Sequence, residues 1–381
     1  MATALILGGG FGGVATAVAL RELLPADDEV ILVDRRADFV MGLRKTWHLL
    51  GVGSVRDGSR QLATLEHLGI SVRRAEIASV NPAQRSAALD GVELHADALV
   101  VALGTTMAPD AVPGLRDHAI MAWDRDEADA GRDAIEAFAA RDGGRAVVGI
   151  FGTPYPCPPA PYELALLLRD RLAADDRFSV EIFTPTPISL PVLGAAECSR
   201  LDARLAQRGI GFRASTSAVS VGAESVRLAD GGEIPFDLLL AVAPHRVPRL
   251  LVDAGMAAEG GWVQVNRATL ETRWPGVYAI GDCTAVPLSN GLALPKAGLM
   301  AQLEGETVAR RIAGTFRGEP PTAEFEGVGS CFIEMGGGEA AVIRGDFYAA
   351  PPSVTLSDPS PDAMAEKLAF ETDRLAAWFG R

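Results

Sequence analysis

The apolar positions of the chain fall into short dense runs separated by glycine- and proline-rich breaks. This is the pattern of strands buried on both faces rather than of half-exposed ones. The first run covers residues 4–7 and leads into Gly8-Gly9-Gly10-Phe11-Gly12-Gly13. Residues 14–24 then carry a helical pattern rich in Ala, Val and Leu, and a second apolar run, 30–33, ends at Asp34. Further runs at 94–103, 146–151, 180–183, 236–242 and 277–280 predict buried strands, and helices are predicted over 162–174, 295–313 and 364–380.

One plan occurs twice. Asp90-Gly91 is a hairpin turn, the run 94–103 follows, and Gly104 ends it. Later, Asp230-Gly231-Gly232 is a turn, the run 236–242 follows, and Pro244 ends it. Strand, loop, helix and strand likewise recur, once at the N-terminus and once over 146–183. Two related α/β domains in one chain are expected.

The two strand-to-helix loops differ in chemistry. Gly8, Gly10 and Gly13 fit G-x-G-x-x-G. The first glycine permits the tight turn, the second lets a pyrophosphate approach the backbone, and the third lets helix and strand pack closely. The helix start offers free N–H groups and a positive dipole end to phosphates, and Asp34, with Arg35 beside it, is placed for a ribose hydroxyl. The second loop, residues 152–161, contains five prolines and no glycine triplet. Proline lacks a backbone donor, so ordinary dinucleotide binding is not expected there. A third strand ends at Gly281-Asp282, where an acid can reach a bound cofactor's hydroxyls or serve merely as a turn residue.

Composition narrows the class. The 381 residues are 48% hydrophobic and carry a net charge of -14 without a basic cluster, which argues against nucleic acid as a partner. No apolar run reaches the roughly 18 residues of a membrane helix, and no targeting segment is read at the N-terminus. Cys157, Cys198, Cys283 and Cys331 match no zinc spacing, so no metal site is expected.

With these segments placed, the chain resembles the FAD-dependent pyridine nucleotide–disulfide oxidoreductase superfamily. Cys157-Pro158-Pro159-Ala160-Pro161-Tyr162-Glu163, together with residues 261–265, 294–298 and 330–332, is similar to its sulfide:quinone oxidoreductase and flavocytochrome c sulfide dehydrogenase branch. The resemblance implies an α/β fold of two Rossmann-like (three-layer ββα) dinucleotide-binding domains plus a small C-terminal region. Expected limits are 1–106 and 246–318 for a discontinuous FAD domain, 107–245 for a degenerate NAD-type domain, and 319–381 for the rest. It implies FAD, bound non-covalently because no cysteine precedes Cys157, on Gly8, Gly10, Phe11, Gly13, Asp34, Arg35, Gly104, Gly281, Asp282, Lys296 and Ala297.

The same resemblance places two redox cysteines on Cys157 and Cys331 and a flavin-proximal lysine on Lys296, for which an exposed lysine is the alternative. The helix after Cys157 is expected to favour its thiolate, and Cys331 to follow a small turn at Gly329-Ser330. Glu163 is a candidate acid/base, or simply favourable charge at a helix start. His245, at a strand end, is a candidate proton carrier or a structural histidine. Expected partners are a sulfide or thiol donor, a quinone-type acceptor and at most a second copy of the chain. A cytoplasmic protein, at most peripheral to the membrane, is implied. An NAD(P)H dehydrogenase of type II kind and a flavoprotein subunit serving a cytochrome are the alternatives. The terminal helix, with Leu368, Leu375, Trp378 and Phe379 as an apolar stripe, is expected to meet a membrane, a partner subunit or the body of its own chain.

Overall fold

The computed structural model describes residues 1–173 and 175–380. The apolar runs become inner strands of two parallel five-stranded sheets. In the first, the order is Val277–Ala279, Ala98–Val101, Thr3–Leu7, Glu29–Asp34, Ser71–Arg74. In the second it is Ile120–Met121, Leu238–Val242, Gly144–Ile150, Phe178–Phe183, Ile210–Arg213. The repeated plan is therefore real: Thr3–Leu7 and Gly144–Ile150 hold the same central place in their sheets.

Each sheet is covered on both faces, which is why its strands read as continuous apolar runs. Ala4 and Ile6 pack toward the helix Phe11–Leu23, while Leu5 and Leu7 pack toward an antiparallel meander of Ile77–Asn81, Ser86–Leu89 and Val92–His95. The second sheet repeats this, with Ala146 and Val148 on the helix side and Val147 facing a meander of Ala218–Val221, Ser225–Leu228 and Glu233–Pro235. The run 94–103 is thus two strands rather than one. Its first residues complete the meander, and the sheet strand begins only at Ala98. The same division separates Glu233–Pro235 from Leu238–Val242. A short ribbon, Thr106–Met107 against His245–Arg246, joins the two crossings between the sheets.

The helix read over 162–174 is Ala160–Arg171; Ala174 lies outside the described residues. The helix read over 295–313 is Gly298–Phe316. The C-terminal part is an antiparallel sheet of Val328–Gly336, Glu339–Asp346 and Ser353–Leu356, followed by the helix Pro361–Phe379. Ser360 caps this helix by accepting the Ala363 N–H at 3.1 Å.

The terminal helix is docked on its own chain. Leu375, Trp378 and Phe379 enter the core of the first sheet, with Trp378 set edge-on to both Phe11 and Phe39 at 5.6 Å. Leu368 is the exception in the expected stripe: it is 45% exposed. The face that packs holds Ala363, Lys367, Glu371, Leu375 and Trp378. Among the described residues, no helix is long and apolar enough to cross a membrane.

Candidate active site

The glycine loop has the geometry its residue types demand. Gly8 adopts φ +108°, and a Cβ there would lie 2.3 Å from the Ala102 carbonyl oxygen. A Cβ on Gly13 would meet the Gly8 carbonyl oxygen at 1.7 Å, so the helix approaches the turn as closely as a backbone allows. Gly10, by contrast, faces open space. Asp34 receives the Gly9 N–H at 2.6 Å and the Arg36 N–H at 2.7 Å.

That open space belongs to a cavity of about 330 Å³. Gly10, Phe11, Gly104, Gly281, Asp282, Lys296 and Ala297 line it, and so do Cys157, Glu163 and Cys331. Most of the site residues picked from sequence therefore share one wall system. Gly8, Gly13 and Asp34 shape the loop behind it. Arg35 is exposed and points toward Glu76 at 3.9 Å, away from the cavity.

Lys296 is buried, not exposed. Its ammonium donates to the carbonyls of Asp282 at 2.7 Å and Thr284 at 2.5 Å and lies 3.7 Å from the Trp262 ring centre. Burial lowers its pKa and raises that of Asp282. Behind them, Glu304 accepts the Gly281 N–H at 2.6 Å, and burial pushes its carboxyl up to about 7.

The two cysteines come from different elements. Cys157 lies within the proline loop with φ +53°. Cys331 sits in the strand Val328–Gly336, which packs on the helix Ala160–Arg171; it is a strand residue rather than the product of a turn. Both thiols are free and line the same cavity. The interaction of the two sulfurs lowers the Cys331 pKa and, with burial, raises that of Cys157. The expected preference for a Cys157 thiolate is thus reversed. The helix start has little to offer that sulfur: Pro161 has no N–H, and the Ala160 N–H is taken by the Cys157 carbonyl.

Glu163 is 4% exposed and sits in a buried hydrogen-bonded cluster that the sequence did not announce. Lys367 of the terminal helix donates to Glu163 Oε1 and to Glu334 Oε1, the latter at 2.7 Å. Trp47 Nε1 donates to the same Glu334 oxygen at 2.5 Å, and the Glu334 N–H points at Glu163 Oε1 from 3.4 Å. Burial pushes the Glu163 carboxyl up to about 7 against the pull of Lys367. One turn along the helix, Glu371 takes a bidentate pair from Arg44 at 2.6 and 2.7 Å.

His245 does not line the cavity. Its Nδ1 lies 2.8 Å from the Ala243 carbonyl, and burial lowers its pKa to about 4, so the ring is neutral at pH 7. It is half-buried and pairs with Met107 in the short ribbon between the sheets. Cys198 and Cys283 are buried, and burial pushes Cys283 up to about 12. Phe332 also lines the cavity, as do Lys45 and Phe370, which carried no motif in the sequence.

The family model for pyridine nucleotide-disulphide oxidoreductases matches residues 2–305. The chain belongs to this family. It is 23% identical over 365 residues to the mitochondrial sulfide:quinone oxidoreductase of Mus musculus, covering 91% of this chain and 78% of that protein. The alternative NAD(P)H-ubiquinone oxidoreductase C1 of Arabidopsis thaliana is 25% identical over 419 residues, covering 96% of this chain and 76% of that protein. Among solved structures, the sulfide:quinone oxidoreductase of Aquifex aeolicus superposes with a TM-score of 0.90 at 23% identity, over 100% of this chain and 92% of that one. The fold is therefore that of a two-dinucleotide-domain disulfide oxidoreductase, and the protein is an oxidoreductase of the flavin-dependent kind. The residues present fit FAD: Gly10 leaves a cradle that a Cβ would enter, at a helix start whose first N–H groups have no side-chain cap.

Proposed function

We propose that this oxidoreductase takes electrons from sulfide or a small thiol through Cys157 and Cys331 and passes them through non-covalent FAD to a quinone-type acceptor. The observation that carries the reading is that both sulfurs line one cavity, together with Gly10, Asp282 and Lys296. When bound, FAD would supply a two-electron acceptor.

Gly10 and the uncapped helix start would hold the pyrophosphate, Asp34 a ribose hydroxyl, and Asp282 the chain nearer the flavin. Lys296 would place positive charge where the reduced ring gathers electrons. The sulfur substrate attacks the Cys157–Cys331 disulfide, leaving a persulfide or mixed disulfide on one cysteine and a thiolate on the other. Cys331 suits the thiolate, since its pKa is the lowered one. Phe332 and Phe370, with ring centres 5.9 Å apart, form an aromatic wall suited to a flat acceptor.

The test is anaerobic stopped-flow. Sulfide is expected to bleach the flavin absorbance of the wild type and to leave Cys157→Ser and Cys331→Ser yellow, although dithionite reduces all three. A wild type that stays yellow under excess sulfide overturns the reading. The Arabidopsis relative favours a second one, in which NAD(P)H is the donor. Rapid bleaching by NADH, equal in the cysteine variants, would establish it instead. Non-covalent attachment is checked by acid precipitation, which should leave all the flavin in the supernatant.

A further inference from the structure

We propose that Lys367 and Glu334 are positioning residues for Glu163, and that the three together form a one-proton switch that takes a proton from the sulfur substrate as the cysteine thiolate appears. This rests on the sulfide reading above.

The geometry is specific. Glu163, Glu334 and Lys367 are 4%, 6% and 3% exposed, so each charge must be matched from inside. Two carboxylates share one ammonium. Their formal charge is one negative unit while Glu163 is ionised and zero once it holds a proton. Glu163 and Lys367 both line the cavity with the two sulfurs, so the switch opens onto the reacting atoms. A carboxyl pushed up to about 7 exchanges its proton near neutral pH.

The step balances. As the sulfur of hydrogen sulfide bonds to one cysteine sulfur, the Cys157–Cys331 bond breaks and its electron pair stays on the other sulfur as thiolate. The sulfide sulfur is oxidised and the disulfide reduced, and the S–H proton goes to Glu163. One negative charge leaves the carboxylate as one appears on sulfur, so the buried site keeps its total. In a weakly polarisable interior, a site whose charge changed would resist the step. The groups facing Glu163 are few. Lys367 comes from the terminal helix, Glu334 and Cys331 from one strand, and Cys157 from the proline loop. Trp47 is a neutral donor to Glu334, and the Arg44–Glu371 ion pair lies one turn beyond Lys367.

The test uses the FAD-loaded protein. Infrared difference titration follows the protonated carboxyl band that Glu163→Gln removes. Glu334→Gln, close to isosteric, leaves Lys367 to Glu163 alone. It is expected to lower the Glu163 midpoint by about one pH unit or more, whereas Lys367→Met is expected to raise it. The pH midpoint of sulfide-driven bleaching should follow in the same two directions. Loss of packing would not produce opposite shifts, and Glu334→Gln alone decides if Lys367→Met does not fold. Sulfide bleaching with an unmoved midpoint in Glu334→Gln overturns the switch and leaves the function standing. Absence of bleaching in the wild type overturns the function and, with it, the switch's substrate. The infrared midpoints then still decide whether the three groups share a proton.

Discussion

The backbone N–H of Cys157 donates to the carbonyl of Lys296 at 2.6 Å. This bond ties the proline loop of the second sheet to the segment that opens the last helix of the first. Lys296 is in turn fixed at its far end, where the ammonium holds the Asp282 and Thr284 carbonyls. One residue therefore connects the sulfur of the second half to the Gly281-Asp282 turn of the first. Replacing Lys296 by Met keeps the backbone bond but strips two carbonyls of their donor. Leaving a buried acceptor unsatisfied costs about 1–3 kcal/mol, so Lys296→Met should melt measurably lower. An unchanged thermal unfolding curve would show that the ammonium does not hold this turn.

Gly10 and Gly13 separate folding from cofactor binding. A Cβ at Gly10 enters open cavity, while one at Gly13 strikes the Gly8 carbonyl at 1.7 Å. Gly10→Ala is expected to fold with apoprotein stability near that of the wild type and to purify with little flavin. Gly13→Ala should yield little folded protein at all. Circular dichroism together with the ratio of flavin to protein absorbance distinguishes the two outcomes.

Glu304 makes stability depend on pH. Its carboxyl is pushed from its ordinary 4.5 up to about 7 by burial, so between those values the folded protein holds a proton that the unfolded chain has released. Stability is therefore complete below about pH 4.5, falls as pH rises toward 7, and levels off above it. A difference of this size corresponds to about 3 kcal/mol. Glu304→Gln can still accept the Gly281 N–H, and it should flatten that decline in urea unfolding curves taken across the window. A slope identical to that of the wild type would place the carboxyl's titration elsewhere.

The terminal helix should contribute to stability through one face only. Trp378 is 5% exposed and packs against Phe11 and Phe39, so Trp378→Ala should cost about 3–5 kcal/mol. Leu368 points outward, and Leu368→Ala should stay within about 0.5 kcal/mol of the wild type. Equal losses at the two positions would mean that the helix is seated differently.

The differences between sequence and structure share a physical origin. The run 94–103 reads as one strand because a meander strand and a sheet strand, each partly apolar, adjoin with only Ala96 and Asp97 between them. Leu368 reads as part of the buried stripe of the last helix because it is apolar, and Lys367 and Glu371 escape that reading because they are charged. Their spacing of four, continued to Leu375, is the signal that marks the packed face, but charge hides it when periodicity is read from hydrophobicity alone. A helix start favours a thiolate at Cys157 only if its first turn has donors to spare, and a proline-rich first turn leaves few.

The order of apolar runs, turns and glycines was enough to establish two parallel sheets, the phosphate-type loop at Gly8–Gly13 and a degenerate second loop. These depend on neighbours along the chain, where local sterics and the need to bury a strand on both faces act directly. Only the folded molecule decided that Cys331, 174 residues beyond Cys157, lines the same cavity, and that Lys367 sits between Glu163 and Glu334. Such meetings come from the packing of a late strand and the final helix against the earlier domains, and no local pattern encodes which buried charges will find each other there.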